Sequence, residues 1–389
     1  MKIDSEKAID LVMRLMAVEG KSCEEAKVAQ LIIEELNSFG VSESAIGFDT
    51  AHKRTPLKGE VGNLIVKLPG DRKLPRIMLS AHMDTVPICV GCVPKRVGRK
   101  IVSANKSTGL GADDRAGVAA VLTAAREVLQ SGSKHPPLTL CFFVQEEIGL
   151  QGSRNMTVSK LARPEMALNF DGGDPYKMTI GATGGERIKI TLTGIPAHAG
   201  IAPENGASAI EAAGLAIASL KKGKWLGAVK KKGETGTSNI GKIEGGVATN
   251  VVADSVHLFA EARSHSSEFR TAIAQEIEDA FESSAAQVVS AQGGSVSAKV
   301  ERRVDYDSFC LDEESPAVKR VAEAIQDLGA EPKCNVSNGG VDANWIVKHG
   351  IPTVTVGCGQ REVHTNQETL DIADFLAACE IGTRVVLSG

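Results

Sequence analysis

Residues 138–147 read LTLCFFVQEE. Six of its first seven residues are apolar, and two carboxylates follow at once. A short, nearly continuous apolar run of this kind predicts a strand buried on both faces, as in parallel sheets covered by helices. GNLIVKL at 62–68, PRIMLSAH at 75–82 and EMALNFD at 165–171 have the same character. Between them lie segments with helical spacing: 5–18, 22–39 ending before Gly40, and the Ala-rich 114–130. Strands alternating with helices predict an α/β unit on a mostly parallel sheet, with helices on both faces.

The pattern changes near residue 184. ERIKITLTG at 186–194 alternates apolar and charged positions, as a strand with one solvated face does. A helix over 205–221, strands over 236–243 and 255–262, a helix over 267–286 and a strand over 295–304 follow. That β-α-β-β-α-β order is the ferredoxin-like α+β arrangement, which leaves one sheet face open to a partner. The α/β pattern resumes near 315, with helices over 316–328, 341–349 and 368–387 and a strand over 352–356. The expected organisation is a discontinuous α/β domain, 1–183 and 308–389, interrupted by a smaller domain at 184–307. The one charge run, KKGKWLGAVKKK at 221–232, is expected to be a solvated loop.

Of 389 residues, 42% are hydrophobic and 24% charged, enough apolar content for a sizeable core. A net charge of −4 and only 4% aromatic residues argue against a nucleic-acid partner, which calls for basic surface and stacking platforms. No segment approaches the ~20 apolar residues of a membrane span. The opening MKIDSEKAIDLVMRLM carries Asp4, Glu6 and Asp10 too early for a signal peptide, so a cytoplasmic protein is expected. Eight scattered cysteines are unlike a disulfide scaffold. Cys89 and Cys92 have CxxC spacing but no second pair to complete a zinc site, and read as two reduced thiols in a loop, with a redox role remote. A serine hydrolase would need a Gly-x-Ser-x-Gly elbow, which the sequence lacks.

Ionisable residues recur where the buried strands end, the edge at which open α/β sheets bind ligands. His82 and Asp84 in SAHMDT (80–85) are two apart, so their side chains leave a strand on one face. Asp84 is placed to hold the second ring nitrogen of a metal-bound His82; a strand-end His beside a turn-capping Asp is the ordinary alternative. Asp113 and Asp114 in GADDRAG (111–117) sit where a loop enters a helix, so one can cap the helix while the other points out of the sheet edge. Glu146 and Glu147 directly follow the apolar strand. Adjacent carboxylates at a buried strand end are costly without a nearby cation. Neighbours in an extended chain point apart, so one can bind metal while the other stays free as a base. A solvated acidic turn is the bland alternative. Asp171 ends EMALNF, and His364 follows PTVTVG in EVHTNQE. Together His82, Asp113, Glu147, Asp171 and His364 supply two imidazoles and three carboxylates. One bridging carboxylate, with one His and one further carboxylate on each side, would hold two Zn2+ ions ~3.5–4 Å apart.

The order His-x-Asp, Gly-Ala-Asp-Asp, Glu-Glu, Asp, His resembles the M20 family of metallopeptidases, most closely its peptidase T-like branch, over essentially the whole chain. SAHMDTVP, GADDRAGVAA, EEIGLQGS, NFDGG, GIPAHAGIAPENGASAI and VHTNQE carry the resemblance. It implies a two-zinc peptidase, with Co2+ or Mn2+ as substitutes, that cuts short peptides as an aminopeptidase of the tripeptidase kind. It implies that Asp113 bridges the metals and is joined to Asp114 by a cis bond. His82 and Asp171 then complete one site, Glu147 and His364 the other, and Asp84 orients His82. A hydroxide shared by the ions is expected to attack the peptide carbonyl, with Glu146 as general base. The 184–307 domain is similar to the family's dimerisation or lid domain. A homodimer is therefore expected, in which His198 serves the active site of the second copy as an oxyanion donor. Asn250 in GGVATN and Arg263 in EARS match positions that hold the substrate. The same metal pair would serve an N-acyl-amino-acid amidohydrolase or a carboxypeptidase. The intact Glu146 argues against a binding protein that has lost its chemistry.

Overall fold

Leu138–Phe143 forms a strand whose residues are all buried in the computed structural model, which describes residues 3–387. It pairs in parallel with Ile77–His82, which pairs in parallel with Met166–Phe170, which in turn pairs in parallel with Thr353–Val356. Antiparallel strands flank this core: Leu64–Leu68 and Ile46–Phe48 on one side, Lys177–Ala182 on the other. The expected mostly parallel sheet is present. Its four central strands all end on the same edge. From Ile77–His82 the chain goes to a neighbour on one side and later to Met166–Phe170 on the other, which makes Ile77–His82 the switch point of the sheet. A binding crevice opens outside the carboxyl end of a strand so placed. His82 is the last residue of that strand.

Helices close over the sheet with their apolar stripes. Ala112–Ser131 is the most enclosed, with residues 114–128 all buried. Its alanines favour the helix and let neighbours approach closely. A Cβ on Gly382 of helix Ile372–Leu387 would lie 3.1 Å from Ala124 Cβ. Helices Ser5–Ala17, Ala26–Ser38 and Pro316–Gln326 bury Leu11, Leu15, Ile32, Leu36 and Val321 in the same core. Each such side chain contributes roughly 1.5–3 kcal/mol. This compact unit comprises residues up to Gly181, Cys310–Ser337 and residues from Val341 onward.

The flanking strands Ile46–Phe48 and Lys177–Ala182 are additions to the sequence reading, and two further parts depart from it. Gln360–Arg361, Thr369–Asp371, Lys100–Ser103 and Pro94–Val97 form a small antiparallel sheet. These strands are two to four residues long, too short for alternation to show. The last helix accordingly begins at Ile372 rather than at 368, because Thr369–Asp371 pairs with Lys100–Ser103.

A second compact unit comprises Ala182–Phe309 with Asn338–Gly340. Its antiparallel sheet runs Ser297–Tyr306, Gly184–Thr193, Ser255–Ser264, Glu234–Gly245, Gly227–Lys231. The first four strands have the ferredoxin-like order. Ile188, Ile190, Leu192, Val256 and Leu258 pack with the helices Ala209–Lys222 and Ser267–Gln287 into a core of its own. Gly227–Lys231 corrects the expected loop at 221–232: the segment completes one helix and then becomes an edge strand paired with Glu234–Gly245. Lysines on an edge strand discourage further pairing. Lys231 Nζ lies 4.7 Å from the Trp225 ring centroid, so its ammonium sits over the indole. Among the described residues no helix is long and apolar enough to cross a membrane.

Candidate metal centre

Beyond the carboxyl ends of the parallel strands, Asp113 lies between two imidazoles. Its Oδ1 is 3.3 Å from His82 Nε2 and its Oδ2 is 3.2 Å from His364 Nε2. Glu147 Oε1 is 3.0 Å from the same His364 nitrogen. Ligand atoms of His82, Asp113 and Asp171 all lie within 4.8 Å of one another, as do those of Asp113, Glu147 and His364. The structure thus gathers all five residues singled out from the strand ends, with Asp113 common to both groups.

A break at the start of the central helix delivers Asp113. Gly111 takes φ +74°, a conformation that favours glycine, and Asp113 and Asp114 leave helical geometry across a cis peptide bond. The two aspartates divide the tasks. Asp114 turns inward: its Oδ1 accepts from Gly117 N–H at 3.0 Å and caps the helix, while its Oδ2 accepts from His82 N–H at 3.2 Å. A Cβ on Gly117 would lie 2.4 Å from the Asp114 carboxylate oxygens. Asp113 is left to face the imidazoles.

Asp84 is fully buried and organises the rest. Its Oδ1 accepts from Glu146 N–H at 2.9 Å; its Oδ2 accepts from Glu147 N–H at 3.2 Å and from the Ser22 hydroxyl at 2.6 Å. His82 Nδ1 stands 3.4 Å from Asp84 Oδ1 and 3.1 Å from the Asp84 carbonyl. One carboxylate therefore orients His82 and fixes the backbone of both glutamates. Glu146 belongs to neither ligand group.

So many acids in one place perturb one another. Burial, with added repulsion from Asp342, Asp171 and Glu147, pushes Glu146 well above the usual carboxylate range against the pull of His82. Burial, reinforced by Asp113, raises Asp171 to about 8. Burial opposes ionisation of Asp113, but the His364 and His82 imidazoles beside it outweigh that and hold Asp113 low. Hydrogen bonds to Asp113 and Glu147 lift His364 to about 10. Asp113 Oδ1 is buried and, although His82 Nε2 stands 3.3 Å away, makes no well-aligned hydrogen bond. An orphaned carboxylate oxygen between two mixed imidazole–carboxylate groups fits a pair of divalent metal ions, which would replace protons as the neutralising charge.

Four further residues surround the centre that strand-end position alone does not mark. Glu368, 3% exposed, accepts from the backbone N–H groups of Leu110, Gly111 and Asp113. Gln360 donates to the Ala112 carbonyl at 3.1 Å and to Asp114 Oδ1 at 2.8 Å. Glu25 Oε1 accepts from Gln145 N–H at 3.1 Å, and burial beside Asp84 raises its carboxyl to about 8. Asp342 is buried and raised to about 7 by that burial. Glu25 and Asp342 sit in stretches without strand-end signals. Glu368 is the one with a legible signal, lying four residues after His364.

Cys89 and Cys92 are free thiols, as expected, and both are buried; Cys89 Sγ lies 3.6 Å from Glu368 Oε2. His198, Asn250 and Arg263 belong to the second unit. His198 and Asn250 are exposed and close together, since Ala199 N–H donates to the Asn250 carbonyl at 3.0 Å. Arg263 is spread across Glu261, with Nε to Oε1 at 3.0 Å and a second nitrogen to Oε2 at 3.1 Å.

The model of peptidase family M20/M25/M40 matches residues 78–388. An uncharacterized protein of Bacillus subtilis (strain 168), YqjE, is 32% identical over 99% of this chain and 98% of its own length. The crystal structure of a tripeptidase from Staphylococcus aureus has a TM-score of 0.90 at 29% identity, covering 100% of this chain and 99% of that one. The aminopeptidase PepT of Bacillus cereus ATCC 10987 has a TM-score of 0.87 at 31% identity, covering 99% and 98%. With a family model spanning most of the sequence and the same fold from end to end, this chain belongs to the M20 peptidase family, in its peptidase T-like branch, and is a hydrolase that acts as a peptidase.

Proposed function

We propose that the chain is a two-zinc aminopeptidase that trims the N-terminal residue from short peptides, tripeptides above all. The observation that carries this is Asp113 turning one oxygen to each of two imidazoles, with Asp171 and Glu147 completing the two groups. His82, Asp113 and Asp171 would hold one ion, and Asp113, Glu147 and His364 the other. Zn2+ bound there would polarise the scissile carbonyl and lower the pKa of water from 15.7 toward about 7.

The chain's own groups do the rest. Glu146 serves as general base: it takes the proton of the attacking water and returns it to the leaving amine. Its burial favours the protonated form that it must take up between the two steps. Asp84 holds His82 and keeps Glu146 in place through its backbone N–H. Six carboxylates act on one another here, those of Asp84, Asp113, Glu146, Glu147, Asp171 and Asp342. Two divalent ions would replace the protons these acids share, and an acidic surround of this kind suits the ammonium of a free N-terminus. The names of the Staphylococcus tripeptidase and the Bacillus aminopeptidase agree with that preference. Arg263 would exchange Glu261 for the substrate carboxylate, which a guanidinium grips with two parallel bonds. Asn250 would hold the peptide, and His198 would stabilise the oxyanion in the active site of a second copy. The working form in this reading is a cytoplasmic homodimer joined through 184–307, with 1–183 and 308–389 as the catalytic domain.

A metal-loaded sample, given one tripeptide in free, N-acetylated and C-amidated forms, tests the reading. The free form should lose its N-terminal residue, and the acetylated form should stay intact. Release of acetate, or trimming of the C-terminal residue, would instead identify an N-acyl-amino-acid amidohydrolase or a carboxypeptidase.

A further inference from the structure

Glu368 spends its whole carboxylate on one short loop. Its Oε2 accepts from Leu110 N–H at 2.8 Å and Gly111 N–H at 2.7 Å, and its Oε1 accepts from Asp113 N–H at 3.1 Å. The Cys89 thiol, 3.6 Å from Oε2, adds a fourth donor. We propose that Glu368 is a positioning residue for the metal pair: it fixes the loop that presents Asp113, and so sets how Asp113 faces both imidazoles. The inference rests on the two-metal reading of the site.

Helix capping does not explain this arrangement. Asp114 already caps the helix through Gly117, whereas two of the three N–H groups on Glu368 precede the helix. Residues 109 and 111 of the loop are glycines and bring no side chain of their own to hold it. The space is also filled: a Cβ on Gly109 would lie 2.9 Å from Cys89 Sγ and 3.1 Å from Glu368 Oε2. One segment thus clamps Asp113 at both ends. His364 Nε2 meets its carboxylate at 3.2 Å, and Glu368, four residues on, takes its backbone N–H. That segment is anchored in turn, since Thr369–Asp371 pairs with Lys100–Ser103. An ionised acceptor makes such bonds short and strong. An amide in its place keeps one oxygen and turns an NH2 group toward N–H donors.

The test uses the full chain with Glu368→Gln and Glu368→Asp. Leu220→Ala, in the core of the second unit, serves as a control that lowers stability away from the site. Metal-stripped protein is titrated with Zn2+ against a chelating dye, and Co2+ absorption reports ligand geometry. The Glu368 variants should lose ~10–100-fold in affinity for at least one zinc ion and show an altered Co2+ spectrum. Leu220→Ala should lower the melting temperature and leave both readouts at wild type. Glu368 variants that melt earlier yet bind two zinc ions with wild-type affinity and spectrum would reduce Glu368 to a structural part and overturn the inference alone. Wild-type chain that binds fewer than two ions would overturn the two-metal reading and the inference with it. Should Glu368→Gln fail to fold, Glu368→Asp keeps the charge, shortens its reach by one methylene, and decides by the same readouts.

Discussion

Stripping the metal should make the protein less stable as the pH rises, and zinc should reverse this. Asp171 is held at about 8 in the folded chain against 3.8 for an unperturbed Asp. Between those values the folded state keeps a proton that the unfolded state releases, so stability falls with rising pH. His364, at about 10 against 6.5, works in the same direction: its stabilising proton is fully present below 6.5 and is lost as the pH climbs through 10. A shift of roughly four units on Asp171 alone amounts to about 6 kcal/mol. The protons are shared among Asp171, Glu146, Glu147 and Asp342, so a few kcal/mol is the expected loss between pH 4 and 8. Zinc takes the place of those protons. Two sites at a hundredfold excess over Kd restore about 5 kcal/mol, and roughly 2 °C per kcal/mol gives a rise near 10 °C. Because the ligands must be deprotonated, the gain should grow from pH 5 to pH 8. Differential scanning fluorimetry on chelated and zinc-loaded samples across that range measures it. A metal-free sample whose stability does not fall with pH, or a zinc gain largest at acid pH, would refute the reasoning.

Other expectations concern single residues. Glu146→Gln should bind metal as the wild type does and lose about 10²–10⁴-fold in kcat; metal analysis beside steady-state kinetics separates the two effects. Asp84→Asn turns an amide NH2 toward the N–H donors that now share its carboxylate, and should cost ~10–100-fold in zinc affinity, read by competition with a chelator. Arg263→Lys should raise KM for peptides ending in a free carboxylate and leave C-amidated peptides unaffected, because lysine cannot make the paired bonds of a guanidinium.

Much of this centre is legible because the proposed metal ligands sit where strands end. A buried run such as LTLCFFV announces its own terminus, so Glu146 and Glu147 stand out against it, as His82 does after PRIMLSA and Asp171 after EMALNF. The division of labour between Asp113 and Asp114 was open in the sequence, since either aspartate can cap a helix; Gly117 N–H settles it for Asp114. The small sheet that carries Gln360 and brings in Glu368 was hidden, because strands of two or three residues show no period. Glu25 and Asp342 were hidden for a different reason. Glu25, next to Glu24, and Asp342 each stand at the start of a helix, where an acid is ordinary, and only three-dimensional burial makes them unusual. The lysines of 221–232 misled in the opposite sense: a charged segment reads as a loop, yet charge is what an exposed edge strand carries.

Anomalous scattering from crystals grown with Zn2+, recorded at the zinc edge, puts the most direct question to Asp113. Two peaks about 3.5–4 Å apart are predicted, one beside His82 and Asp171, the other beside Glu147 and His364, with Asp113 touching both. A single peak, or zinc found only at another place such as Cys89 and Cys92, would contradict the two-metal centre.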